Sequence, residues 1–200
     1  MPPLSLHRAG VCLTTCALAI TLAALAPGNA LPRRAEQAKS KSAAPQGAAD
    51  DPAVIDASGY VEILARHRGK PVMVNFWATW CEPCREEYPM VNELARAYSP
   101  KGLVVIAVSL DDDSAMAPLR TFLAQQKPVF TNYRKKPGND EGFINSVDVK
   151  WSGAVPATFF YAADGRLAAK LVGEFTRDTF EKALREKLGL SAPVSHTSTR

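Results

Sequence analysis

Val74-Asn75-Phe76-Trp77-Ala78-Thr79-Trp80-Cys81-Glu82-Pro83-Cys84-Arg85 decides the fold, because the chain changes from strand pattern to helix pattern within it. Upstream, Pro71–Trp77 (PVMVNFW) is a short, dense apolar run, the pattern of a buried central strand. Downstream of Cys84, apolar residues recur at Tyr88, Val91, Leu94 and Tyr98, which is helical spacing. Pro89 falls inside that helix and should kink it. The junction places Cys81 at a helix N-terminus, where free N–H groups and the macrodipole favour negative charge. A thiolate is such a charge, so the Cys81 thiol should be acidic and nucleophilic at neutral pH. Cys84 lies one turn further on, in reach of a mixed disulfide at Cys81, and the pair forms the minimal machinery of dithiol exchange. Pro83 takes an early helical position where its missing N–H costs nothing. Glu82 puts a negative charge beside the nascent thiolate and partly offsets the dipole, favouring the reducing direction.

Other uses of the two cysteines weigh less. A structural disulfide across so short a loop would remove little chain entropy. Zinc needs about four ligands, and beyond residue 30 the chain offers Cys81, Cys84, His67 and His196. Covalent haem attachment needs His after the second cysteine, where Arg85 stands. A carrier of copper stays open, since thiolates favour Cu(I).

The stretch Val74–Arg85 resembles the active-site strand and helix of the thioredoxin superfamily, and most of all its exported TlpA/ResA-like branch. Gly153-Ala154-Val155-Pro156-Ala157-Thr158-Phe159-Phe160 resembles that family's second landmark, a cis-proline loop facing the cysteines. The resemblance runs from about Gly69 to Gly189. It implies a three-layer α/β sandwich, with a mixed central sheet and helices on both faces. It also implies a redox-active Cys81–Cys84 disulfide and no cofactor. Substrate contact falls to Trp80, Val155 and Pro156, with the Val155 backbone free to pair with a client strand. The implied partners are disulfide-containing exported proteins, apocytochrome c among them, and a membrane thiol transporter as electron donor. Thioredoxins proper carry Asp where this chain has Asn75, and Asn cannot titrate. Glu87, one turn beyond Cys84, matches an acidic position of the branch and is the candidate for moving protons at the Cys84 thiol. A copper or haem carrier and a thiol peroxidase are the alternative readings. The peroxidase is weaker, because superfamily peroxidases generally place the nucleophile elsewhere.

Working outward, Tyr60, Val61 and Leu64 suggest a first helix ending near Gly69. Leu103–Leu110 (LVVIAVSL) reads as a second buried strand, followed by a helix over Ser114–Gln126 with Ser114 as its cap. Asp111-Asp112-Asp113 reads as a solvated turn. Lys127–Lys150 reads as polar and irregular, with a short helix around Glu141–Val147. Ala157–Tyr161 and Leu167–Val172 flank Ala163-Asp164-Gly165, a strong hairpin signal. Thr176 should cap a last helix burying Phe180, Leu184 and Leu188, with Asp178–Lys182 and Glu181–Arg185 pairs outside. Trp151 stands just before the proline loop, placed equally well for packing or for lining a groove.

The chain has 200 residues, 46% apolar and 22% charged, and a net charge of +4. That balance excludes a wholly disordered chain, and the interspersed charge argues against a nucleic-acid binder. Residues 9–26 are uncharged and almost entirely apolar, and Arg8 precedes them. Pro27-Gly28-Asn29-Ala30 then ends the run with small residues, the pattern of an export signal cleaved after Ala30. An uncleaved anchor would tether the protein to the membrane, although eighteen residues is short for a span. Residues 31–52 lack the large apolar side chains a core requires after Leu31 and read as a disordered linker. Residues 53–190 read as one domain, and 191–200 as a flexible tail. Removal of 1–30 leaves Cys81 and Cys84 as the only cysteines. A single close pair in a compartment that permits disulfides points to redox work.

Overall fold

A computed structural model describes residues 51–192. The expected signal, nearly all of the linker and most of the tail lie outside those residues. The described chain runs β1 (Ala53–Ile55), α1 (Ala57–Arg66), β2 (Val72–Trp77), α2 (Glu82–Tyr98), β3 (Val104–Ser109), α3 (Met116–Gln126), β4 (Thr131–Lys135), α4 (Asp140–Val147), β5 (Ala157–Tyr161), β6 (Leu167–Val172) and α5 (Arg177–Leu188). The strands form one sheet in the order β1-β4-β3-β2-β5-β6. β1, β4, β3 and β2 are mutually parallel, whereas β5 runs antiparallel to both β2 and β6. The sheet is mixed, as the element order requires.

β2 is central, and all six of its residues are buried. Strand periodicity sends successive side chains to opposite faces. Val72, Val74 and Phe76 join Tyr60 and Ile63 of α1, Phe143 and Val147 of α4, and Phe159 in one core cluster. Met73 and Trp77 join Tyr88, Val91 and Leu94 of α2, Leu119 of α3, and Phe180 and Leu184 of α5 in the other. Two helices therefore cover one face and three the other, which is the expected three-layer sandwich. Asn75 shares the parity of Met73 and Trp77, so its amide is directed toward α2.

Several local expectations are corrected. In α1 the buried residues are Tyr60 and Ile63, with Leu64 packed beside them, while Val61 is exposed. The segment 127–150 is not irregular throughout: Thr131–Lys135 forms β4, paired with β3 on one side and β1 on the other. Its sequence, TNYRK, is polar, and the two residues it buries are Arg134 and Lys135, paired with Asp113 and Asp140. The Asp112 carboxylate, rather than Ser114, caps the short turn before α3 by accepting the Ser114 N–H at 2.9 Å. Thr176 holds the N-cap position of α5 without a side-chain bond to the helix backbone. Glu181 is bracketed by Arg177 at 2.9 Å and Arg185 at 3.4 Å, whereas no Asp178–Lys182 pair is formed. α2 continues through Pro89 for seventeen residues.

The contrast within α1 is measurable. Ile63→Ala should cost about 2–5 kcal/mol, because it deletes a fully enclosed side chain. Val61→Ala should stay within about 0.5 kcal/mol. Urea denaturation would measure both, and equal costs would mean that α1 buries a different face.

Candidate active site

β2 ends at Trp77, and the chain turns before α2 through Ala78–Cys81, closed by the Cys81 N–H donating to the Ala78 carbonyl at 3.2 Å. Cys81 is the N-cap residue of α2, with extended backbone, and its sulfur accepts the Cys84 N–H at 3.3 Å. The nucleophile candidate thus lies on one of the free N–H groups that a helix start offers. Cys81 and Cys84 are joined by a disulfide, with Cα atoms 5.3 Å apart. Cys81 is 6% exposed and Cys84 2%. Glu82 and Pro83 are the first two helical residues, with Glu82 exposed and Pro83 half-buried.

Trp80 is 66% exposed, and its neighbour Trp77 is fully buried. An open cleft of about 610 Å³ starts at Thr79 and Trp80 and continues past Arg85 to Phe122 and Gln125 of α3. The Val155–Pro156 peptide bond is cis. Val155 packs against the cluster that contains both cysteines, and Pro156 is buried, its carbonyl accepting the Gly173 N–H at 2.8 Å. Gly153 has φ +84°, a left-handed conformation that favours glycine, and a Cβ there would lie 2.6 Å from the Ile144 Cδ1 methyl. Trp151 is core rather than groove: its ring lies tilted at 4.7 Å from that of Phe76, and it donates its indole N–H to the Ala154 carbonyl at 2.9 Å.

Glu87 projects from α2 onto the Asn75 side of the sheet. One N–H of the Asn75 amide donates to the Glu87 carboxylate at 3.0 Å, and another donates to the Thr158 hydroxyl at 3.0 Å. Burial raises the Glu87 pKa to about 7; the Asn75 bond opposes that rise, and the Glu174 charge adds to it. A carboxyl poised near neutral pH can hold or release a proton under ordinary conditions. The sequence reading missed Thr158 and the Asn75 contact. Both follow from the pairing of Asn75 with Thr158 between β2 and β5, which no local pattern announces. It also missed Asp111, which is 1% exposed and not in a solvated turn. Among the described residues no group of three or more His, Cys, Asp or Glu side chains is arranged to hold a metal ion.

Comparison with known proteins places this geometry in context. The AhpC/TSA family profile matches residues 44–170. The chain is 34% identical over 135 residues to a thiol-disulfide oxidoreductase ResA of Bacillus cereus, covering 66% of this chain and 72% of that protein. It is 39% identical over 106 residues to the thiol:disulfide interchange protein DsbE of Pseudomonas fluorescens biotype C, covering 53% of each. Among solved structures, a thioredoxin-family thiol:disulfide interchange protein of Chlorobium tepidum TLS superposes with a TM-score of 0.54 at 23% identity, over 62% of this chain and 84% of that one. That last likeness concerns the fold.

The raised Glu87 pKa has a consequence for stability. The folded protein holds this proton more tightly than the unfolded chain, whose carboxyl titrates near 4.5. The contribution is fully present below pH 4.5, falls as pH rises, and is lost above about 7. Its size is about 3 kcal/mol. Glu87→Gln should abolish it, so the oxidised variant should gain on the wild type by that amount between pH 4.5 and pH 8 in urea titrations. A difference that does not change with pH would mean that Glu87 titrates as an ordinary carboxylate.

Proposed function

The chain belongs to the AhpC/TSA family of thioredoxin-fold proteins, and on that premise we propose that it is an exported thiol-disulfide oxidoreductase working chiefly as a reductase. The observation that carries the reading is the Cys81–Cys84 disulfide at the start of α2, with Cys81 as the N-cap. In the reduced protein the Cys81 thiolate attacks one sulfur of a client disulfide. The client S–S bond breaks, a mixed disulfide forms, and one client thiolate leaves. Cys84 then loses its proton and attacks the Cys81 sulfur. The second client thiolate leaves, and the Cys81–Cys84 bond closes. The client gains two electrons and the protein loses two.

Glu87 is the base that takes the Cys84 proton, and its raised pKa suits it to give the proton back in the reverse direction. Asn75 holds that carboxyl in place, and Thr158 orients the Asn75 amide by accepting its other N–H. Trp80 and the cleft beyond it receive one side of the client, while Val155 and Pro156 receive the other. Glu82 and Pro83 tune the pair: the first opposes thiolate formation by its charge, and the second starts the helix without an N–H to satisfy. Clients are disulfide-bearing exported proteins, with apocytochrome c as the candidate that the family resemblance supplies. An oxidising compartment demands an electron donor, and a membrane thiol transporter fills that role. Export rests on the apolar run 9–26; if that run is retained, the same segment tethers the domain to the membrane. Among the described residues no helix is long and apolar enough to cross a membrane.

Insulin-disulfide reduction tests the activity. Cys81→Ala should abolish it, and Cys84→Ala should accumulate mixed disulfides with clients in the native host. Equilibration with glutathione should give a potential near about −270 mV, moving upward in Glu82→Gln. A value above about −180 mV would overturn the reductase direction.

A further inference from the structure

Asp111 is a buried carboxylate that the chemistry above does not use. Burying such a group is costly unless every lone pair finds a donor. Here both oxygens are occupied. Oδ1 accepts the Thr79 hydroxyl at 2.6 Å and the Thr79 N–H at 3.2 Å; Oδ2 accepts the same N–H at 3.0 Å and the Ser109 hydroxyl at 2.6 Å. The carboxylate forms no ion pair among the described residues. The nearby Arg134 reaches the Asp111 main-chain carbonyl at 3.5 Å and pairs with Asp113 at 2.7 Å.

The backbone shows what this arrangement holds. β2 and β3 pair as far as Trp77 and Ser109, and the Leu110 N–H then donates to the Trp77 carbonyl at 2.8 Å. Asp111 therefore lies two residues beyond the end of a strand pair whose residues are all buried except Val104. Thr79, its partner, is the second residue of the turn Ala78–Cys81, whose closing bond does not use the Thr79 N–H. We infer that Asp111 is a positioning residue for the nucleophile: it clamps the N–H and hydroxyl of Thr79, and so fixes the turn that seats the Cys81 sulfur on the Cys84 N–H. The same clamp turns Trp80 outward. The inference rests on the thiol-disulfide reading for its consequence in catalysis, though not for its geometry.

Positioning and charge predict opposite signs. If Asp111 acted only as a nearby negative charge, removing it would favour the Cys81 thiolate. If it positions the turn, removing it lets the sulfur leave the helix N-terminus, and the thiol becomes less acidic. The experiment follows alkylation of Cys81 in the reduced full chain by peptide mass spectrometry from pH 5 to 9. Asp111→Ala should slow labelling at pH 6 about tenfold, the loss of thiolate that a one-unit rise in thiol pKa gives. Thr79→Val, which keeps the Asp111 charge, should shift the profile the same way by a smaller factor. Thr79→Ser, which keeps the hydroxyl, should restore it. Faster labelling in Asp111→Ala with Thr79→Val unchanged would overturn the proposal in favour of a charge effect. Unchanged profiles with lowered melting temperatures would overturn it in favour of a purely structural role. If Asp111→Ala does not fold, the Thr79→Val and Thr79→Ser pair decides alone. A wild type with the acidic Cys81 thiol but no insulin reduction would sink the oxidoreductase reading and leave the clamp intact.

Discussion

The rest of the structure depends on the two-sided burial of β2. A strand covered by helices on both faces has its rotation fixed, because a slip of one residue would exchange every side chain between the two cores. Val72, Val74 and Phe76 are committed to the layer of α1 and α4, and Met73 and Trp77 to the layer of α2, α3 and α5. With the strand locked, its last residue is locked too. The turn that follows begins from a fixed point, and α2 starts just beyond the C-terminal end of this central strand. The reactive pair is thus located first by hydrophobic packing upstream of it, and then by the hydrogen bonds of the turn.

Two of the polar groups admitted to this packing, Asn75 and Asp111, bond to the helix and the turn that carry the cysteines. Asn75 interrupts the apolar parity of β2 and offers N–H groups to Glu87 and Thr158. Asp111 ends the apolar run of β3 and takes donors from Thr79 and Ser109. Each would cost several kcal/mol if left without partners, so each is held by partners from another element. That requirement ties β5 to α2 through Asn75, and the active-site turn to β3 through Asp111. The two carboxyls differ in their donors: Glu87 receives one amide N–H, whereas Asp111 receives the Thr79 N–H and two hydroxyls.

Elements whose signal is local were legible. The β5–β6 hairpin was visible in Ala163-Asp164-Gly165, because a tight turn needs particular residues. The C-terminus of α5 was visible in Gly189, which takes φ +69° just after Leu188. β4 was not legible, because Thr131–Lys135 owes its strand conformation to backbone pairing with β1 and β3 and has no apolar alternation of its own. Nor was the difference among the three aspartates: Asp112 caps a turn, Asp113 meets Arg134, and Asp111 is enclosed. Identical side chains in a row were separated only by the direction in which β3 ends.

The amino-acid sequence by itself determined the strand–turn–helix unit, the position of Cys81 at a helix start and the spacing to Cys84. These are properties of contiguous residues, set by hydrophobic period, helix capping and the restrictions of proline and glycine; the landmark at Val155-Pro156 was supplied by the family resemblance. The tertiary structure alone decided which side chains surround the cysteines. Asn75, Glu87 and Thr158 meet across 83 residues of chain, and Thr79 meets Asp111 across 32. Such contacts arise from strand register and helix docking, which depend on the sum of many buried areas. No single segment carries that sum, so no single segment reveals it.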